Sequence, residues 1–178
     1  VLYPLFLSES LIKRRMLQQV EIIQSKIKTL DELKLQVKRW RLKSESMVFT
    51  NGVFDILHPG HVSYLAKTKD LGNRLIIGLN ADVSVKMLNK GPNRPIQNEQ
   101  DRAFLLAALS IVDAVVLFEE ETPYELISQL VPDVLAKGGD YKVEEISGHD
   151  VVLKNGGRVE IIDFLDGHST TSIEQKIK

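Results

Sequence analysis

Two histidines three positions apart, His58 and His61, enclose a proline and a glycine in the stretch FTNGVFDILHPGH, residues 49–61, directly after a strand-like run. Such a pair could ligate a metal, relay a proton or cradle a phosphate. A zinc site needs a third or fourth donor and a positioned base, and the His-Glu-x-x-His spacing of metalloproteases is absent. A helix N-terminus, by contrast, offers free N–H groups and a partial positive charge, to which imidazoles one turn apart add further donors. Gly60 gives a bulky anion room to approach the backbone, and Pro59 occupies a first-turn position where no intrahelical N–H bond is lost. The spacing therefore favours phosphate over metal.

A second anion-binding candidate lies near the end of the chain. GHSTTSI, residues 167–173, again opens a helix after a strand, and its run of hydroxyls from Ser169 through Thr170 and Thr171 to Ser172 exceeds what one cap requires. Between the two, Lys86, Lys90 and Arg94 lie on and beyond a short helix in a segment rich in Gly, Pro and Asn, and Arg102 sits near the start of the next helix. There is no Gly-x-x-x-x-Gly-Lys loop, no Gly-x-Gly-x-x-Gly fingerprint and no serine–histidine–acid triad. What remains is chemistry that needs positioning and charge neutralisation more than a protein nucleophile. Attack by a substrate's own oxyanion on the α-phosphorus of a nucleoside triphosphate, expelling pyrophosphate, is such a reaction. The histidines would neutralise the transition state, lysines would clamp the leaving group and Mg²⁺ would bridge its oxygens.

The elements that must position these groups follow from periodicity. Residues 8–28 and TLDELKLQVKRWRLK read as two amphipathic helices, the second opened by a Thr29/Glu32 capping box. From Met47 strands alternate with helices five times: MVFTN, RLIIGLN, DAVVLF, DVLAKGGDY and RVEIIDF are apolar strands with no hairpin signals between them. Thr122, Pro123 and Glu125 mark one helix start, with Thr122 as its cap, and Thr171 caps the last helix. The expected architecture is α/β, a Rossmann-like parallel five-stranded sheet flanked by helices, with an N-terminal helical extension over residues 1–46 and the catalytic domain over 47–178. Ligands of such sheets bind beyond the carboxyl ends of the strands. Those ends carry Thr50, Asn51, Gly52 and Asp55, then Asp82, then Gly138 and Asp140, then the Ser/Thr run.

Bulk properties narrow the class. The chain has 178 residues, no cysteine and a net charge of −1, so disulfide frameworks and thiolate chemistry are excluded and a reducing, cytoplasmic setting is expected. That charge hides an asymmetry: ten Lys/Arg against five Asp/Glu over residues 1–46, thirteen against nineteen beyond. The basic helices bring no aromatic platform for nucleic acid, and no apolar run approaches the length of a membrane span.

TNGVFDILHPGH together with STTSI resembles the cytidylyltransferase-like nucleotidyltransferase superfamily, marked by His-x-Gly-His after the first strand and a Ser/Thr-rich motif at a late helix. More closely, the stretch from Met47 to Lys178 resembles the adenylyltransferase domain of bacterial ADP-heptose synthase, through NADVSVK, NRPIQNEQDR, VDAVVLFEEETP, KGGDY and DGHSTTSI. The resemblance implies transfer of AMP from ATP, with Mg²⁺, to D-glycero-β-D-manno-heptose 1-phosphate. By it, His58 and His61 hold the triphosphate, and Thr50, Asn51, Gly52, Val53, Phe54 and Gly60 line it. Gly138 and Asp140 also face the nucleotide; Ser169, Thr170 and Thr171 grip the β and γ phosphates; and Lys86 or Lys90 supplies the loop cation. Asp55, Asp82, Arg94 and Arg102 are candidates for the sugar-phosphate side. In many bacteria this domain is fused to a sugar kinase for which this chain has no room, so a separate heptose kinase upstream is expected, together with a homodimer and with neither nucleic acid nor membrane as partner. Two rival readings are a cytidylyltransferase acting on glycerol 3-phosphate or a related alcohol phosphate, and a nucleotide-sensing module without turnover. The first is disfavoured because DFLDGHSTT lacks an Arg shortly before the Ser/Thr motif. The second is disfavoured because the motif groups are intact.

Overall fold

In the computed structural model, residues 9–88, 91, 93–163, 165, 170 and 173 are described, with side chains from Gln18 onward. The order is α1 (Glu9–Lys26), β1 (Ile27–Lys28), α2 (Leu30–Leu42), β2 (Met47–Gly52), α3 (Pro59–Lys69), β3 (Arg74–Asn80), α4 (Asp82–Met87) and α5 (Glu99–Ala108). It continues with β4 (Ala114–Phe118), α6 (Tyr124–Leu130), β5 (Val134–Gly138), a 3₁₀ turn (Val143–Glu145), α7 (His149–Lys154) and β6 (Arg158–Ile162).

One parallel sheet of order β1-β4-β3-β2-β5-β6 forms the centre of the molecule. Its four interior strands, β2 to β5, are largely buried on both faces, which is why they read as continuous apolar runs. Alternation within them sorts side chains to two cores: Val48, Leu75 and Ile77 pack with Leu65 and Leu106 on one face, and Phe49 and Ile76 pack with Leu33, Trp40 and Ile127 on the other.

Six strands are present where the sequence predicts five. The additional one is β1, which pairs Ile27 with Val115 and Lys28 with Val116, so the first helix ends at Lys26 and its last two expected residues become a sheet edge. Leu33, Val37 and Trp40 of α2 are buried in the common core. The charge boundary near residue 46 is thus not a boundary in packing. Thr29 forms the expected capping box: its side chain accepts from the Glu32 N–H, and the Glu32 carboxylate accepts from the Thr29 N–H. Thr122 does not cap α6; Pro123 holds the cap position without a side-chain hydrogen bond. The expected cap at Thr171 lies outside the described residues. No helix among those described is long and apolar enough to cross a membrane.

Candidate active site

Strand order reverses between β2 and β5, since β3 and β4 extend the sheet on one side and β5 and β6 on the other. Such a reversal opens a crevice at the carboxyl ends of the strands. The β2–β5 ladder covers Val48↔Val134 and Phe49↔Leu135, and beyond it side chains span the gap. Tyr64, buried on α3, places its hydroxyl 2.6 Å from Thr50 Oγ1 and donates to the Ala136 carbonyl at 3.3 Å. Lys137 Nζ, on β5, donates to Asn51 Oδ1, on β2, at 3.1 Å and lies 5.8 Å from the centre of the Tyr141 ring.

Above the crevice the backbone after β2 folds sharply. Phe54 takes φ 48°, a left-handed conformation uncommon for a bulky residue. Its ring lies over Gly52, where a Cβ would come within 2.9 Å of it. That ring meets His61 edge-on, with centroids 5.3 Å apart, and His61 stacks on His58 at 3.8 Å. His58 is the N-cap of α3, and its Nδ1 accepts from the His61 N–H at 3.3 Å. An accepting Nδ1 leaves the proton of the neutral ring on Nε2, so His58 keeps a donor besides its capping contact. The two histidines, Gly60 and the free end of α3 therefore form one block of donors fixed by packing.

A cleft of about 480 Å³ lies at this edge, lined among others by Asn51, Val53, Phe54, His61, Lys137 and Thr170. Asp55, 5% exposed, lines it too and accepts from the N–H groups of Ile96 and Gln97 at 2.8 and 2.9 Å and from the Arg94 guanidinium. Burial alone would raise the Asp55 carboxyl; the two N–H groups and Arg94 outweigh it and hold the group below the usual carboxylate range. The effect is to tie the segment leading into α5 to the end of β2 with Arg94 facing the cleft. Lys86 and Arg94 share a neighbouring hollow of about 670 Å³ with Asp82.

Several expected site residues have other occupations. Arg102 is fully buried, and its guanidinium donates to the carbonyls of Gln97, Val53 and Asn80 and to Asp82 Oδ1 at 2.6–3.0 Å. Its donors hold together the wall behind the cleft, so it is not a substrate cation, and the Asp82 carboxylate is engaged with it. Thr50 is likewise fully buried, and its hydroxyl is engaged by Tyr64. Gly138 lines the cleft, and the Gly139 turn, φ 111°, carries the chain on to Asp140. Lys90, Ser169 and Thr171 lie outside the described residues.

Sequence reading missed Tyr64, Lys137 and Tyr141. Tyr64 stands three residues after His61 on the same helix, and Lys137 is the one charged side chain in an apolar strand, immediately before a glycine pair. Both positions were readable signals.

The profile of the cytidylyltransferase-like family matches residues 49–175, which takes in His58, His61 and the Ser/Thr run. The chain belongs to the cytidylyltransferase-like family. Curated relatives are named bifunctional protein HldE: that of Magnetococcus marinus is 56% identical over 144 residues, covering 81% of this chain and 29% of the relative. That of Syntrophotalea carbinolica is 52% identical over 153 residues, covering 86% and 31%. This chain thus spans about a third of the length of these relatives. Among solved structures, the lipopolysaccharide core biosynthesis protein of Thermoplasma volcanium is 31% identical with a TM-score of 0.57, covering 68% of this chain and 97% of that one. Family membership and these relatives identify the chain as a transferase of the nucleotidyltransferase superfamily.

Proposed function

We propose that this chain transfers the AMP moiety of ATP to D-glycero-β-D-manno-heptose 1-phosphate, giving ADP-heptose and pyrophosphate. The observation that carries the reading is the stacked His58–His61 pair capping α3 at the point of strand reversal, in a chain 56% identical to a relative named HldE.

The acceptor's phosphate oxygen attacks the α-phosphorus, the bond to the bridging oxygen breaks, and pyrophosphate leaves with that electron pair. His58 Nε2 and His61, with the N–H groups opening α3, neutralise the phosphates as charge moves onto their oxygens. Thr170 lines the same cleft and with Ser169 and Thr171 would hold the distal phosphates. Lys86, which lines the neighbouring hollow, or Lys90 would neutralise the leaving group. Arg94 would take the acceptor phosphate, its fork oriented by Asp55. Magnesium would arrive on the triphosphate, whose oxygens supply most of its ligands; nucleotide sites commonly add only one or two carboxylates. Among the described residues no group of three or more His, Cys, Asp or Glu converges on one point.

Pyrophosphate release is the test, with ATP or CTP against a panel including heptose 1-phosphate and glycerol 3-phosphate. Release with ATP and the heptose phosphate is expected. Release with CTP and glycerol 3-phosphate alone would transfer the chain to the alcohol-phosphate branch of its family, and binding without release would make it a sensing module.

A further inference from the structure

Lys137 has a placement that folding does not require. It sits next to last on β5, an interior strand otherwise composed of Val134, Leu135, Ala136 and Gly138, where a lysine costs desolvation that an aliphatic residue would avoid. It stands beside the crevice at which the strand order reverses, on the opposite bank from Asn51, and its ammonium crosses that crevice to reach the Asn51 side chain. The Tyr141 ring adds a second, electrostatic hold on the ammonium. The charge is thus tethered to two strands of the sheet, whereas Arg94 reaches the same cleft from a loop and His61 from a helix.

We infer that Lys137 is a catalytic cation whose ammonium contacts the α-phosphoryl oxygens of the nucleotide as the acceptor attacks. This rests on the proposed nucleotidyl transfer. Both reactants are anions, and the phosphorus under attack lies between the entering acceptor oxygen and the departing pyrophosphate, so negative charge is concentrated around its non-bridging oxygens. A cation there assists most when it is fixed before the reaction and needs no reorganisation. Lys137 meets that requirement by its position on the sheet. A single point charge also suits oxygens that change geometry around phosphorus better than a planar fork does.

Steady-state kinetics of Lys137→Met, on whichever nucleotide and acceptor the unaltered protein turns over, test this. The methionine keeps most of the aliphatic stem, and urea unfolding checks that the fold is retained. The expected result is a fall in kcat on the order of 10²-fold with both KM values within about threefold, the pattern of a contact made in the transition state, and partial recovery in Lys137→Arg. The α-thio diastereomers of ATP or CTP supply a reading that a structural role would not move. The loss caused by Lys137→Met should shrink with the diastereomer whose sulfur replaces the contacted oxygen and persist with the other. An unchanged kcat, or an intact kcat with a KM for the acceptor raised tenfold or more, overturns the inference and leaves the proposed function standing. Absence of pyrophosphate release by the unaltered protein with every pair overturns the proposed function, and the inference with it.

Discussion

The two edges of the central sheet use the same kinds of side chain to opposite ends. At the amino edge, Arg74 grips Glu45 with two parallel hydrogen bonds of 2.8 Å and donates a third, of 2.9 Å, to Asp113. Asp113 also accepts from Lys69 and from the Leu75 N–H, and the guanidinium lies 5.6 Å from the Trp40 ring. These charges answer one another, and the network closes the bottom of the sheet. At the carboxyl edge Asn51, His61, Arg94 and Lys137 stand around a cleft. There the polar groups hold one another in place while facing a common space. The first arrangement serves stability; the second keeps donors convergent for a ligand, and the sequence pattern of a charged residue flanking an apolar strand is the same for both.

That contrast predicts a double dissociation, with the largest effect at the carboxyl edge. His61→Ala should lower turnover by a factor on the order of 10² to 10⁴, as loss of a group that stabilises transition-state charge does. Its unfolding midpoint in urea should fall only modestly, because the His61 N–H still meets the capping side chain of His58 and only the ring contacts with His58 and Phe54 are lost. Near-normal turnover in that variant would remove the histidine from the chemistry. Conversely, Asp113→Asn should leave turnover alone and act on stability.

Arg102 tests where the two functions meet. It stands behind the cleft, yet every contact it makes is to the protein itself. Arg102→Met leaves the carbonyls of Val53, Asn80 and Gln97, the first two in buried contacts, without this donor and Asp82 without its cation, a loss of about 3 kcal/mol in urea unfolding. Retained KM values in the surviving folded fraction would mark it as scaffold; a selective rise in the acceptor KM would return it to the substrate.

How much of this was legible in the sequence depended on whether the signal was local. The parallel sheet was readable because strands such as RLIIGLN are apolar on both faces, and the Thr29 capping box because its two partners are three residues apart. Strand β1 was not: two residues at the end of an amphipathic helix carry no alternation, and only pairing with the edge of β4 makes Ile27–Lys28 a strand. His58 and His61 were found because their spacing, Pro59 and Gly60 all point to a helix start. Arg102 was misassigned because its acceptors come from four separate positions, Val53, Asn80, Asp82 and Gln97, which the chain brings together only when folded. The engagement of the Thr50 hydroxyl was hidden for the same reason, since Tyr64 reaches it from another element.

Acid should act on the amino edge through Asp113. Burial tends to raise the Asp113 carboxyl, but Lys69, the Leu75 N–H and Arg74 prevail and hold it below its ordinary value of 3.8. A carboxyl lowered in the folded state contributes stability that is complete above its unfolded value and is lost as pH falls through the folded one. Unfolding free energy should therefore change little with this group between about pH 5 and 8 and decline below about pH 4. Asp113→Asn should cost about 2 kcal/mol at neutral pH and flatten that decline. An undiminished acid slope in the variant would assign the decline to other carboxylates, of which Asp55, lowered by Gln97, Ile96 and Arg94 against its burial, is the counterpart at the carboxyl edge.

The smallest effect tests whether the N-terminal segment belongs to the fold energetically as well as geometrically. Thr29 caps α2, the helix that delivers Leu33, Val37 and Trp40 to the core, and it follows directly on the edge strand β1. Thr29→Ala removes the acceptor for the Glu32 N–H and one half of the capping box, a loss of about 1 kcal/mol. If α2 unfolds together with the sheet, that loss appears in full in one global urea transition with an unchanged slope. If α2 detached separately, a second, earlier transition would appear by Trp40 fluorescence, the single tryptophan of the chain. Turnover should be unaffected in either case, since the cap lies far from the reversal of strand order in sequence and on the opposite flank of the sheet from β5.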